Sequence, residues 1–262
     1  MKARFVLPAI VIAASWGCSS APLAPRSELL RSPPQYRQPL AGPIRTIVVD
    51  AGHGGHDAGA SHHGLREKSL TLDIARRLRA NLQDAGLTVV MTRETDHFIS
   101  LSGRPAVANR LGADLFVSVH INANRNQRVS GAEVYYPRVS AVSHTATWPP
   151  AVRPAEVGVP SLTVKQILWD LVLGRTRSQS RKLASTICGS MKDRLQVSCK
   201  TKSARFVVLR EAWMPAVLVE VGYVSHLPEA QRLNRSDYRA SAAASIAQGI
   251  VSYVREVGAQ HI

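Results

Sequence analysis

Acidic side chains are scarce in this chain. Its 262 residues hold 18 Asp and Glu against 33 Lys and Arg, a formal net charge of +15. So basic a chain favours anionic partners: nucleic acid, a membrane surface or an acidic polymer. Aromatic residues make up only 5%. The chain has no zinc-finger spacing, no RNP motif and no basic helix with interleaved aromatics, which argues against nucleic acid. Cysteine is limited to three residues, none in a CxxC pair. That excludes a zinc ribbon or a dithiol redox motif. No internal repeat is visible. The glycine-rich stretch near residue 52 lacks the GxGxxG and GxxxxGK(S/T) spacings of nucleotide cradles. What remains, 45% apolar and 19% charged, is the composition of a globular chain long enough for a sizeable core.

Lys2 and Arg4 form a basic start, and Phe5 to Ala14 is an apolar run too short to span a bilayer as a mature helix. Ser15-Trp16-Gly17-Cys18 follows. A small residue directly before a Cys resembles a bacterial lipoprotein signal, with Ser15 where that signal usually has Leu. Residues 1–18 are therefore expected to be a signal peptide, with Cys18 lipidated and holding the protein to a membrane. Removal of Lys2 and Arg4 lowers the formal charge from +15 to +13. Ser19 and Ser20 lack the acidic residue often linked to inner-membrane retention, which leans toward a periplasmic protein on the outer membrane. Residues 19–43, rich in Pro, Ser, Arg and Gln, read as a disordered tether. Cys188 and Cys199 remain. In an exported protein they either pair or stay as free buried thiols.

The folded body is predicted over residues 44–262. Ile47-Val48-Val49 reads as a buried strand running into Asp50-Ala51-Gly52-His53-Gly54-Gly55. In open α/β sheets, ligands bind past the C-terminal ends of strands. Glu67 opens a helix over Lys68 to Ala85, and Leu87 to Met91 is the next strand. This β-α-β order implies a right-handed crossover and parallel pairing. A second helix starts at Ser102. Asp114 to His120 is a third strand that ends, like the first, in a histidine. Two strand-terminal histidines and Glu67 suggest a metal site, since both residue types are good zinc ligands. Gly131 to Tyr136 reads as a strand and a candidate sheet edge. Pro137 to Pro160 reads as an inserted loop. Helices are expected over Ser161 to Leu173, ended by Gly174, and over Ser178 to Leu195. Strands are expected at Phe206 to Leu209 and at Ala216 to Val221, with a last helix over Tyr238 to Val257. Glu220 sits inside an apolar strand, where a carboxylate is costly unless it meets a cation, a metal or a proton with a task. The expected fold is α/β: one three-layer domain, a mostly parallel twisted sheet with helices on both faces, and an inserted segment at 137–177.

These residues together resemble the zinc-dependent N-acetylmuramoyl-L-alanine amidases of bacteria. The resemblance is carried by Asp50-Ala51-Gly52-His53-Gly54-Gly55-His56-Asp57-Ala58-Gly59-Ala60, by Glu67-Lys68, and by Thr92-Arg93 with Asp96. It continues through Arg104 with Ala108-Asn109, Ala113-Asp114 before Phe116-Val117-Ser118-Val119-His120, and Pro215-Ala216-Val217-Leu218-Val219-Glu220-Val221-Gly222-Tyr223. Ala51 and Ala58 stand where Pro is common, and Tyr223 where Phe is common. The resemblance implies one zinc ion on His53, Glu67 and His120, with a position left for water. It implies Glu220 as the group that moves the proton, and cleavage of the amide between muramic acid and the first L-Ala of a peptidoglycan stem. Arg93, Arg104, Asn122 and Asn124 are candidates to support the site or bind substrate. His62 and His63 are expected to face solvent.

The stretch Leu162 to Ala184 resembles the region of the cell-division amidases where a helix covers the zinc cleft until a LytM-type activator displaces it. The alternative is a scaffold helix, with any blocking element drawn from 137–164 and Glu156 capping the metal. Two other functions compete: a zinc hydrolase of this fold acting on another amide, and a non-catalytic wall-binding protein.

Overall fold

The computed structural model describes residues 44–138 and 162–259, with side chains over 44–138 and 174–259. Residues 1–43, with the expected signal peptide, Cys18 and tether, and residues 139–161, with Glu156 and most of the loop expected over 137–160, lie outside the described residues. Eight strands and six helices follow in order: β1 (Thr46–Ala51), β2 (Ser61–His62), β3 (Leu65–Arg66), α1 (Glu67–Asp84), β4 (Thr88–Met91), α2 (Gly103–Leu111), β5 (Leu115–Asn122) and β6 (Ala132–Pro137). Then come α3 (Leu162–Leu195), β7 (Cys199–Ala204), α4 (Val207–Arg210), β8 (Ala216–Tyr223), α5 (Leu227–Asn234) and α6 (Ser236–Ala259). Six strands form one sheet in the order β4-β1-β5-β8-β6-β7. The β4-β1, β1-β5 and β5-β8 pairs are parallel, β8-β6 is antiparallel and β6-β7 is parallel.

The central strands are apolar on both sides because both faces are covered, as parallel sheets require. Ile47, Val49, Val117, Val119, Val217 and Val219 pack with Leu78 of α1, Ile187 and Met191 of α3, and Ile246 and Ile250 of α6. Val48, Phe116 and Leu218 point the other way, onto Ala108 of α2 and Val208 and Leu209 of α4. The alternation assigns Asp50, His120 and Glu220 to this second, thinner face, at the carboxyl ends of β1, β5 and β8.

Three elements differ from the sequence reading. Phe206 to Leu209 is not a strand: Val207–Arg210 forms a single helical turn. A short apolar run has no period that separates helix from strand. Val208 and Leu209 are buried against the second face while Phe206 stays exposed. The strand beside β6 is β7, Cys-Lys-Thr-Lys-Ser-Ala, whose lysines suit an exposed sheet edge and hid it from a hydrophobicity reading. With β7 in place, β6 is an interior strand and not an edge. The two helices expected on either side of Gly174 are one continuous 34-residue helix, α3. A mid-helix glycine costs about 1 kcal/mol, small beside the burial of Leu183, Ile187 and Met191 farther along the same helix. Cys188 of α3 and Cys199 of β7 form a disulfide, with Cα atoms 5.5 Å apart. Among the described residues, no helix is long and apolar enough to cross a membrane.

Candidate metal centre

The turn after β1 is held in a conformation few side chains adopt. His53 has φ 60°, followed by Gly54 at 127° and Gly55 at 59°. A left-handed histidine is uncommon and persists only where its surroundings over-determine it. Two buried arginines supply that constraint. Arg93 is fully buried and donates to the carbonyls of Ala51, Gly52 and Lys68. Arg104 donates to the carbonyls of Ala51 and His53 and pairs with Asp50 at 3.0 Å. Asp50, also fully buried, accepts from the hydroxyls of Thr92 and Ser118 as well. The hydrogen bonds of Arg93 and Arg104 thus go to backbone carbonyls around the site, to the Thr71 hydroxyl and to Asp50.

The thirteen residues between His53 and Glu67 end in a β2–β3 ribbon that turns at His63 and Gly64, both with positive φ. Such a two-residue turn matches the twist of its strands. The ribbon feeds directly into α1, so Glu67 is its first residue, where the helix dipole favours a carboxylate. The peptide N–H groups of Ala60 and Ile121 donate to Glu67 Oε2 and Oε1.

His53, Glu67 and His120 converge, each offering one ligand atom, all within 4.8 Å of one another. Glu67 Oε1 lies 3.1 Å from His53 Nε2 and 3.0 Å from His120 Nδ1. On the far side of its ring, His53 Nδ1 is 2.8 Å from Asp57 Oδ2. That second hydrogen bond fixes the ring and the nitrogen it presents, the usual support behind a metal-binding imidazole. Burial alone would push Glu67 up. Hydrogen bonds and charge from His120 and His53 outweigh it and hold the carboxyl well below its ordinary range. Burial likewise would lower His53, but Glu67 and then Asp57 raise it. Two imidazoles and a carboxylate converging on one point have the chemistry of a divalent cation site.

Two glycines make room for this convergence. A Cβ on Gly52 would stand 2.4 Å from the His120 ring, and one on Gly59 2.6 Å from Glu67 Oε2. The motif therefore spends them on close approach to the donor side chains, not only on the turn. Sequence reasoning missed this, and also missed Asp57 and Asp50, because a loop aspartate carries no signal of its partner.

Glu220 is in register with His120 across β5–β8. Its Oε2 is buried with no hydrogen-bond partner among the described residues. Burial first, then the charges of Glu67 and Glu133, push this carboxyl well above its ordinary range. Glu133, opposite Glu220 in the β6–β8 pair, is a neighbour that the sequence reading did not single out. Asn122 is half-buried, and its Oδ1 accepts from the N–H of Ala123. Asn124 is exposed, and its N–H donates to Ser225 Oγ. Both shape the loop after β5. His63 is exposed and His62 half-buried, while His56 stacks on Phe98 at 4.2 Å.

Known proteins are similar to this chain in sequence and in fold. The profile of the N-acetylmuramoyl-L-alanine amidase family matches residues 47–252. The chain is 35% identical over 241 residues to the N-acetylmuramoyl-L-alanine amidase AmiA of Escherichia coli K12, covering 87% of this chain and 83% of AmiA. It is 32% identical to the amidase LytC of Bacillus subtilis 168, covering 84% of this chain and 37% of LytC. Among solved structures, the amidase AmiC2 of Nostoc punctiforme aligns with a TM-score of 0.64 and 31% identity, over 80% of this chain and 97% of that one. The catalytic domain of the amidase CwlV from Bacillus (Paenibacillus) polymyxa var. colistinus aligns with a TM-score of 0.63 and 29% identity, over 81% and 99%. This chain is a member of the N-acetylmuramoyl-L-alanine amidase family.

Proposed function

We propose that this enzyme hydrolyses the amide between N-acetylmuramic acid and L-alanine in peptidoglycan, using one zinc ion on His53, Glu67 and His120 and Glu220 as the proton carrier. The observation that carries the reading is a buried carboxylate oxygen with no partner, in register with one member of a two-histidine, one-glutamate donor set. When bound, zinc supplies Lewis acidity for the scissile carbonyl and lowers the pKa of water. The protein does the rest. Asp57 fixes the His53 ring, and the N–H groups of Ala60 and Ile121 fix Glu67. Glu220, whose proton affinity is raised, accepts a proton from the attacking water and returns it to the leaving amine. The test is digestion of purified sacculi read by mass. Stem peptides carrying a free N-terminal alanine are expected. Chelation should stop their release and added zinc restore it; release that persists in chelator overturns the reading.

We further propose that the enzyme is exported and held by lipid on Cys18 behind the 19–43 tether, at the outer membrane. The buried Cys188–Cys199 disulfide supports an oxidising compartment. A role in cell division, and restraint of the site by the 137–177 segment until a LytM-type activator acts, belong to the same proposal. Deleting Val139 to Pro160 should then raise basal hydrolysis, and an unchanged rate would remove that part.

A further inference from the structure

Across the sheet, β1, β5, β8, β6 and β7 lie side by side, and the second face carries a polar row along them. His53 follows β1, His120 ends β5, and Glu220 lies on β8. The row then continues past the donor set. Glu133 on β6 is the register partner of Glu220, and Tyr135, two residues along β6, is the partner of Lys202 on β7. Two carboxylates directly opposite each other on neighbouring strands destabilise a sheet. Glu133 is nevertheless buried there, with its side chain 9% exposed. It is kept ionised against its own burial by Lys202 and by the Tyr135 hydroxyl. Tyr135 Oη and Lys202 Nζ both donate to it. Lys202 is 43% exposed. Its ammonium has three donors, of which Glu133 takes one, and it sits 5.9 Å from the Tyr135 ring. Glu133 thus holds a half-exposed cation in a set place, beside a wall formed by Tyr135 against Phe206.

We infer that Lys202 is a substrate-recognition residue that binds the free carboxylate on the second residue of the stem peptide. The inference rests on the proposed reaction. In that reaction the carbonyl carbon faces the donor set and the leaving nitrogen faces Glu220. The peptide therefore departs from the Glu220 side, and the strands beyond β8 on that side are β6 and β7. Strands lie about 4.8 Å apart and rise about 3.4 Å per residue, so Lys202, two strands over and level with Leu218, roots about 12 Å from Glu220, and its ammonium, reaching back to Glu133, stands nearer. Consecutive Cα atoms are about 3.8 Å apart, which puts a carboxylate on the second residue about 7 Å from the leaving nitrogen. The second stem residue, a glutamate linked through its side chain, carries such a carboxylate on its Cα. In some walls it is a carboxamide instead, which offers no charge to the ammonium.

The experiment compares two synthetic N-acetylmuramoyl tripeptides that differ only at residue 2, one with the free α-carboxylate and one with the carboxamide. Both are cleaved by the full zinc-loaded enzyme. Wild type is expected to favour the acid by about 10- to 100-fold in kcat/KM, the usual weight of a charged hydrogen bond. Lys202→Met should erase that preference, read as the ratio of kcat/KM on the two substrates, in which any common loss from leaving Glu133 without its cation cancels. Lys202→Arg should keep the preference. Equal losses on both substrates, no loss on either, or a wild type that does not discriminate would overturn the assignment. A wild type inactive on both substrates with zinc would overturn the proposed reaction and this inference with it.

Discussion

The loop that carries His53 and the strand that carries Glu220 treat buried charge in opposite ways. Beneath His53, Asp50, Arg93 and Arg104 are all buried, and their hydrogen bonds go to backbone carbonyls, to hydroxyls or to one another. Around Glu220, three carboxylates crowd together and one oxygen has no partner among the described residues. Satisfied buried charge makes a rigid support, and its removal is costly because the partner is left alone. Unsatisfied buried charge is held at the expense of stability, and such groups gather at sites that do chemistry. The same fold therefore invests stability in one half of the site and gives some up in the other.

Glu220→Gln should show the contrast at its largest. Amide cleavage is expected to fall by about 10²- to 10⁴-fold, the range for a lost proton carrier, with zinc still bound in stoichiometric metal analysis. Arg104→Met should do the reverse. It leaves Asp50 without its cation, and urea unfolding should show a loss of about 3–5 kcal/mol. A stable Arg104→Met would erase the distinction between the two halves.

A smaller effect sharpens the comparison. Burial, then Glu67 and Glu133, raise the Glu220 carboxyl in the folded state. Such a group favours folding below the ordinary carboxylate range and loses that advantage as pH rises through its raised value. In metal-free protein, Glu220→Gln should therefore melt higher than wild type at pH 8 by a few degrees, for about 1–2 kcal/mol of relieved burial. The gap should close toward pH 4; a gap that stays constant with pH would show that charge is not its source.

The smallest effect lies away from the site, where Asp73 of α1 meets Arg77 and Arg239 of α6. Burial opposes these arginines, but they hold Asp73 below its ordinary range. Their contribution is present at neutral pH and fades as pH falls through the lowered value. With Asp73 35% exposed, Asp73→Asn should cost about 0.5 kcal/mol or less in denaturant unfolding at pH 7.

Much of the donor set was legible in the residues. His53 and His120 close apolar runs, and a strand's end is where an open sheet presents its ligands. Glu220 stood out because a carboxylate in an apolar run needs a reason. Glu133 did not, although it is buried, because GAEVYY reads as a strand with a polar outer face. Only the missing strand β7 shows otherwise: its lysines cover β6 and turn that outer face into part of the site.

The amino-acid order alone determined the alternation of strands and helices, the parallel centre of the sheet and the candidate donor residues His53, Glu67 and His120. Periodicity and the cost of burying charge are properties of neighbours in the chain. The tertiary structure decided which arginines are supports, why Gly52 and Gly59 carry no side chain, and that Glu133 stands opposite Glu220 with Lys202 reaching it from β7. Those facts depend on distances between residues from 6 to more than 80 positions apart, and no local pattern encodes such distances.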